Sequence, residues 1–211
     1  TSTSVSENFI FFPDSTRGRT LSFQNNEQSG SVEIPKAFSD VTDVSFYPKE
    51  DKLTAESVDN PITFFESEAT LDGALDLRPK GMSGRGTMAF QGAELDSKMF
   101  DFERRKILAD TSDFRLSQSS AENIAFRTDN VNSKIDFDKR LGEFKSNGGE
   151  TKIEFPVNQY VCFMDEFKWF MDDNEMELTS SRKASDDFVI DTSEEQASSN
   201  FFSINEFQDS L

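Results

Sequence analysis

Phe100-Asp101-Phe102-Glu103-Arg104-Arg105-Lys106-Ile107-Leu108-Ala109-Asp110 reads as a strand of alternating apolar and polar residues, a charged turn and a second alternating strand. The phrase returns as Ile135-Asp136-Phe137-Asp138-Lys139-Arg140-Leu141-Gly142-Glu143-Phe144 and again as Trp169-Phe170-Met171-Asp172-Asp173-Asn174-Glu175-Met176-Glu177-Leu178. The last apolar residues before the three turns are Phe102, Phe137 and Met171, 35 and 34 residues apart. Near-regular recurrence with a period of two inside each unit predicts an all-β fold, a stacked β-solenoid or β-jellyroll of strand-turn-strand repeats.

Earlier stretches have the same form. Phe9 to Phe12 leads through Pro13-Asp14-Ser15-Thr16-Arg17-Gly18 into Thr20 to Phe23, and Asp43 to Tyr47 leads through Pro48-Lys49-Glu50-Asp51 into Lys52 to Ala55. Ala74 to Leu77 turns at Arg78-Pro79-Lys80-Gly81 into Gly84 to Phe90. These add Phe12, Tyr47 and Leu77 to the series of pre-turn residues, with spacings of 35, 30 and 25 up to Phe102, so the loops must vary between units. Within a unit, Val131, Ser133, Ile135 and Phe137 share one face and Asn132, Lys134, Asp136 and Asp138 the other. Phe163, Phe167 and Phe170 also fit a helical face, but Phe163, Asp165, Phe167 and Trp169 alternate, and the Asp172-Asp173-Asn174 turn signal favours strand. Gly148-Gly149 is read as a strand end and Phe155-Pro156 as the start of a connection.

Residues 1–180 are therefore expected to form the stacked β-repeat region, 181–200 an acidic, Ser-rich flexible loop or linker, and 201–211 the start of a further β unit. Thr1-Ser2-Thr3-Ser4 runs straight into a strand-like stretch without an initiating Met, which predicts that the chain is an excerpt of a longer protein whose targeting information lies elsewhere.

Hydrophobic residues are 35% of the chain, yet 23 of its 211 residues are Phe, so the apolar content is concentrated in one bulky type that suits a thin core. Each buried Phe contributes roughly 1.5–3 kcal/mol, against the entropy of ordering the strands. A net charge of -18 argues against nucleic acid and against an anionic membrane surface as partners. Its plainest role is to keep an extended β-protein soluble and its strand edges apart. No apolar run approaches the ~20 residues of a membrane-spanning helix. The single cysteine, Cys162, has no intrachain partner and sits in the apolar run Tyr160 to Met164, where a small buried hydrophobe is the default.

The chain has no histidine, which removes the commonest general base, the Ser-His-Asp triad and most transition-metal sites. Carboxylates cluster at Asp172, Asp173 and Glu175 and at Asp136 and Asp138, a pattern open to glycoside hydrolysis or to calcium. Among 40 acidic residues, solvated turns explain it as well, and no calcium-loop consensus is present. Gly81-Met82-Ser83-Gly84-Arg85-Gly86 lacks the Lys-Ser or Lys-Thr and the following helix of a nucleotide loop, and reads as a flexible lead into a strand. No catalytic residue, metal ligand or cofactor is assigned. The apolar residues Met99, Phe100 and Phe102 with Phe137, and Phe163, Phe167 and Trp169 are left as either a dry core or the lining of an apolar groove that takes acyl chains.

The unit Ala93-Glu94-Leu95-Asp96-Ser97-Lys98-Met99-Phe100-Asp101-Phe102 through Leu108-Ala109 resembles the repeat of OstA/LptA-type proteins, in which A-x-L-x-S precedes an aromatic-Asp strand, a charged turn and an apolar-Ala return. The resemblance covers three or four units, about half the chain, and implies a β-jellyroll stack that bridges lipopolysaccharide across the periplasm. Phe126 through Gly149, with Phe155-Pro156-Val157-Asn158-Gln159-Tyr160, is similar to segments of large uncharacterised cell-envelope proteins of Bacteroidota-type bacteria. The chain departs from the transport family in its acidic insert after Ser180, its irregular unit spacing and its Phe content. The expectation is a non-enzymatic scaffold or bridge of the bacterial cell envelope, periplasmic or surface-exposed. Its partners would be other envelope proteins and an amphipathic lipid, with Met99, Phe100, Phe102, Phe137, Phe163, Phe167 and Trp169 as lining. The alternative is an extracellular adhesin or secretion-complex subunit making protein contacts, and the third reading a polysaccharide-active β-helix enzyme.

Overall fold

The computed structural model describes residues 2–5, 10–25, 33–117, 123–173, 175–180 and 199–203. These form eighteen strands of one antiparallel sheet with no α-helix. Strands β1 (Ser2–Val5) and β2 (Ile10–Phe11) lie end to end beside β3 (Thr16–Gln24). On the other side of β3 lie β4 (Ala37–Ser39) and β5 (Thr42–Tyr47), followed by the pair β6 (Lys52–Ser57) and β7 (Ile62–Phe64). Five long strands come next in sequence order: β8 (Ala69–Arg78), β9 (Gly81–Phe90), β10 (Ala93–Glu103), β11 (Lys106–Ser117) and β12 (Ile124–Asp136). Beyond them lie β13 (Leu141–Ser146) with β14 (Thr151–Phe155), and then β15 (Tyr160–Met164) with β16 (Glu166–Phe170). The last two rows are β17 (Glu175–Thr179) and β18 (Ser199–Ser203). Counting end-to-end strands as one row, the chain makes a simple meander of thirteen rows.

The all-β, strand-turn-strand expectation is met. All six charged turns, after Phe11, Tyr47, Arg78, Glu103, Asp136 and Phe170, close antiparallel hairpins and lie along the same side of the meander. Their chemistry explains them: Pro48 opens a 3-10 turn that ends on left-handed Asp51, and the buried Asp136 carboxylate accepts hydrogen bonds from the Asp138 and Lys139 amides at 3.1 and 3.0 Å. The solenoid of stacked rungs is not what forms. Two- to four-residue turns can join only antiparallel neighbours, so successive hairpins lie side by side in one sheet. Gly148-Gly149 sits in the gap between β13 and β14 of one row, and Phe155-Pro156 opens the turn into β15. Residues 181–198 and 204–211 lie outside the described residues, and Ser199–Ser203 pairs with β17.

Most of the described rows change phase near their middle, whereas β8 and β9 alternate without a break. In β10, Ala93, Leu95 and Ser97 point inward, Lys98 and Met99 both point outward, and Phe100 and Phe102 point inward again. β11 repeats this with Asp110 and Thr111 between Ala109 and Ser112, and β12 with Asp129 and Asn130 between Thr128 and Val131. The register with the neighbouring strand shifts at Ser97/Phe100 and at Ala109/Ser112. Other rows break outright, at Asp40–Val41, at Val58–Pro61, at 147–150 and at Asp165. In β8 and β9 the same line passes through Gly73, paired with Gly86.

An extra residue at mid-strand turns the second half over, so both halves present their apolar residues to the same side. The sheet is thereby creased along its width into two limbs that face each other. The turn limb carries the six charged turns; the far limb carries the connections at the other side. One inward ladder runs in register along the turn limb through Leu53, Leu77, Met82, Phe102, Ile107, Ile135, Gly142, Trp169 and Met176. A second runs along the far limb through Ile62, Leu71, Met88, Leu95, Phe114, Thr128, Ile153 and Cys162. The crease needs its glycines. A Cβ on Gly86, at φ +121°, would lie 2.2 Å from the Asp72 carbonyl oxygen, and one on Gly84 would lie 2.9 Å from the Phe102 ring. The expected flexible glycine lead is thus an ordered part of β9.

Gly86→Ala is expected to destabilise the chain by roughly 3 kcal/mol or more, because it combines a strained φ with a backbone clash. Gly148→Ala, which meets nothing within 4 Å, should change stability by less than about 0.5 kcal/mol. Urea unfolding of the two variants checks the pair.

Candidate functional site

The space between the limbs is where the aromatics converge. Phe64 of the far limb stacks on Phe102 of the turn limb, with ring centroids 4.9 Å apart and planes 11° apart. Phe114 lies 4.4 Å from Phe144 and 5.6 Å from Trp169, and Phe126 lies 5.1 Å from Phe167. Phe144 and Phe167, neighbours within the turn limb, stack at 4.3 Å. Such contacts contribute about 0.5–1.5 kcal/mol each beyond area burial. The limbs meet with a stagger: the far-limb rings of Phe64, Phe90, Phe114 and Phe126 touch turn-limb rings two to five rows further along the meander.

Of the seven lining candidates, Phe100, Phe102, Phe137, Phe167 and Trp169 are buried in this one cluster. Met99 and Phe163 are not: they are 59% and 55% exposed on the outer surface. The crease explains both. Met99 is one of the two outward residues of the β10 bulge, and the break at Asp165 separates Phe163 from the phase of Phe167 and Trp169. Sequence reading missed Phe23, Phe64, Phe65, Phe90, Phe114, Phe126, Phe144 and Phe155, which share the interior. The detectable signal was a pair of adjacent polar residues inside an alternating run, as at Asp110-Thr111 and Asp129-Asn130. The indole N–H of Trp169 is buried without a hydrogen-bond partner, a polar atom left over in an apolar interior; such a group costs about 1–3 kcal/mol.

The interior closes where the tips of the limbs touch. The far-limb turn Phe65-Glu66-Ser67 has three consecutive residues at positive φ, 52°, 59° and 75°, a conformation that costs roughly 1–2 kcal/mol per residue. Contacts hold it there. The Phe65 ring lies 4.5 Å from Phe137, with the Arg105 guanidinium 5.7 Å from its centroid. Glu68, at the end of the same turn, accepts from Arg105 at 3.0 Å and from Arg140 at 3.2 Å. Those arginines come from two successive charged turns and also pair with Asp138 at 2.8 Å and Asp172 at 3.0 Å. Burial works against the charge on Arg105, yet its hydrogen bond to Glu68 and the nearby Glu68 and Asp138 carboxylates outweigh that and hold it above its ordinary pKa. Beside this seam is an open cleft of about 400 Å³ lined by Lys36, Phe38, Phe65, Arg104 and Arg105 among others.

The carboxylate clusters have structural partners: Asp136 caps its turn, Asp138 binds Arg105 and Asp172 binds Arg140. Among the described residues no group of three or more Cys, Asp or Glu side chains converges as a metal site. No helix among them is long and apolar enough to cross a membrane. Cys162 is buried on the far-limb ladder, as its context predicts, and desolvation pushes its thiol up to about 11. No protein-family model, curated protein or solved structure matches the chain.

Two outcomes follow from this placement. Phe114→Ala should cost about 3–5 kcal/mol, whereas Met99→Ala and Phe163→Ala should each stay within about 0.5 kcal/mol, as denaturant titration can show. Because the folded thiol of Cys162 holds its proton more tightly than an unfolded one, its contribution is complete below the ordinary value of 9.0 and is lost as pH rises toward about 11. Wild type should therefore lose on the order of 2 kcal/mol across that window relative to Cys162→Ala, measured by urea unfolding at pH 8.5 and 11.

Proposed function

We propose that the chain is a non-enzymatic scaffold or bridge of the bacterial cell envelope whose interior holds or conducts an amphipathic lipid such as lipopolysaccharide. The two-limbed sheet is then a β-jellyroll of the kind found in the OstA/LptA-type proteins it resembles. The observation that carries this reading is the long, largely apolar interior, lined in register by both limbs from Ile62 to Cys162 and from Leu53 to Met176. The core is extended along the direction that crosses the rows, and an acyl chain held between the limbs would lie along that axis. The unpartnered Trp169 N–H supplies one donor there.

A second reading has its own support. The ring contacts fill the interior, while Val157, Tyr160, Val161 and Phe163 are exposed close together on and before β15. Outward apolar residues with a filled core favour a subunit that makes protein contacts, as in an adhesin or secretion complex.

Native mass spectrometry of the natural full-length protein, with lipid extraction, separates the two. Under the lipid reading the purified protein carries an acylated species that organic extraction removes. Recovery free of lipid but with a stoichiometric protein partner would overturn that reading in favour of the second.

A further inference from the structure

We propose that the Phe65–Glu68 turn is a latch: the limbs part at this seam, and the seam is the way into the apolar interior. The inference rests on the lipid reading only for what passes through; the opening itself is a property of the fold. At the crease the two limbs are joined by the strands that run through it, and on the opposite side they are linked by side-chain contacts. There, one far-limb turn reaches two turn-limb hairpins at once: Glu68 binds both Arg105 and Arg140, and Phe65 packs on Phe137.

Three features make this contact a latch. First, the turn is held in a left-handed conformation at three successive non-glycine residues, which persists only while its contacts over-determine it. Loss of those contacts lets the backbone relax away from the seam. Second, the ion pairs are half-exposed and joined through the single Glu68 carboxylate, so one group releases two bonds. Third, the ring of Phe65 is the outermost of a file that leads inward, with Phe137 4.5 Å behind it, Phe90 5.5 Å behind Phe137 and Trp169 6.0 Å behind Phe90. Swinging Phe65 outward uncovers Phe137 and the file that ends at the unpartnered indole.

Trp169 is the only tryptophan of the chain and reports on the interior directly. Acrylamide quenching of its emission is measured in wild type, in Glu68→Gln and in Phe65→Ala, with far-UV circular dichroism as the test of folding. Wild type is also titrated with NaCl from low concentration to 1 M, which screens the pairs without any substitution. The latch requires a rise in the quenching constant of roughly threefold or more in Glu68→Gln, the size set by losing two half-exposed ion pairs. It requires a parallel rise with salt, at unchanged strand content. Asp43→Asn, which removes the exposed Arg19–Asp43 pair, must leave quenching at the wild-type level. Quenching that stays flat in both Glu68→Gln and high salt, or that rises only together with loss of the strand signal, overturns the latch. A pyrene-labelled fatty acid is then added to the same samples. An accessible Trp169 without uptake of the probe sinks the lipid reading and leaves the latch standing; equal uptake by wild type and Glu68→Gln with Trp169 sealed in both does the reverse.

Discussion

A lapse in alternation near the middle of most rows, replaced in β8 and β9 by a pair of facing glycines, governs this molecule. Strand side chains alternate strictly, so a long strand in a single sheet can bury only one face, and thirteen such rows laid flat would leave a broad apolar surface in water. Inserting one residue at mid-row reverses the second half. Where the insertions line up across the sheet, as at Lys98-Met99, Asp110-Thr111 and Asp129-Asn130, the sheet folds along that line and its two halves cover each other. The unusual wealth of Phe then has a reason. Two limbs of one sheet must fill the gap between them without helices, and large flat rings reach across it.

The glycines and the clasp serve the same fold at its two extremes. At the crease, Gly73 and Gly86 let paired backbones come within contact distance where any Cβ would collide. At the open side, charge replaces hydrogen-bonded backbone: the arginines of two charged turns converge on Glu68. The charged residues of those turns therefore do more than solvate hairpin ends. Asp138 and Asp172 orient the two guanidiniums toward the far limb.

The hairpins were legible because their signals are local: Pro48, Pro79 and the run Asp172-Asp173-Asn174 each mark a turn within a few residues of an alternating segment. The crease was not, because its signal is a single lapse in alternation whose meaning depends on neighbouring rows lapsing at the same height. At Lys98-Met99 the lapse was also disguised, since an outward Met looks like a core residue. The break at Asp165 misplaced Phe163 in the same way. Phe64, Phe65 and Phe90 escaped notice because they lie at row ends near the far-limb connections, and what makes them interior is contact with rows far along the chain.

The stagger between the limbs has a kinetic meaning. Hydrogen bonding joins each row to the next in sequence, so hairpins can zip up as soon as their own residues are available. Ring contacts instead tie Phe64 to Phe102, Phe65 to Phe137 and Phe90 to Trp169. A ribosome would thus release a growing open ribbon, oily on one side, and closure would trail synthesis by several rows. Such a chain depends on being shielded while its second limb is still unmade.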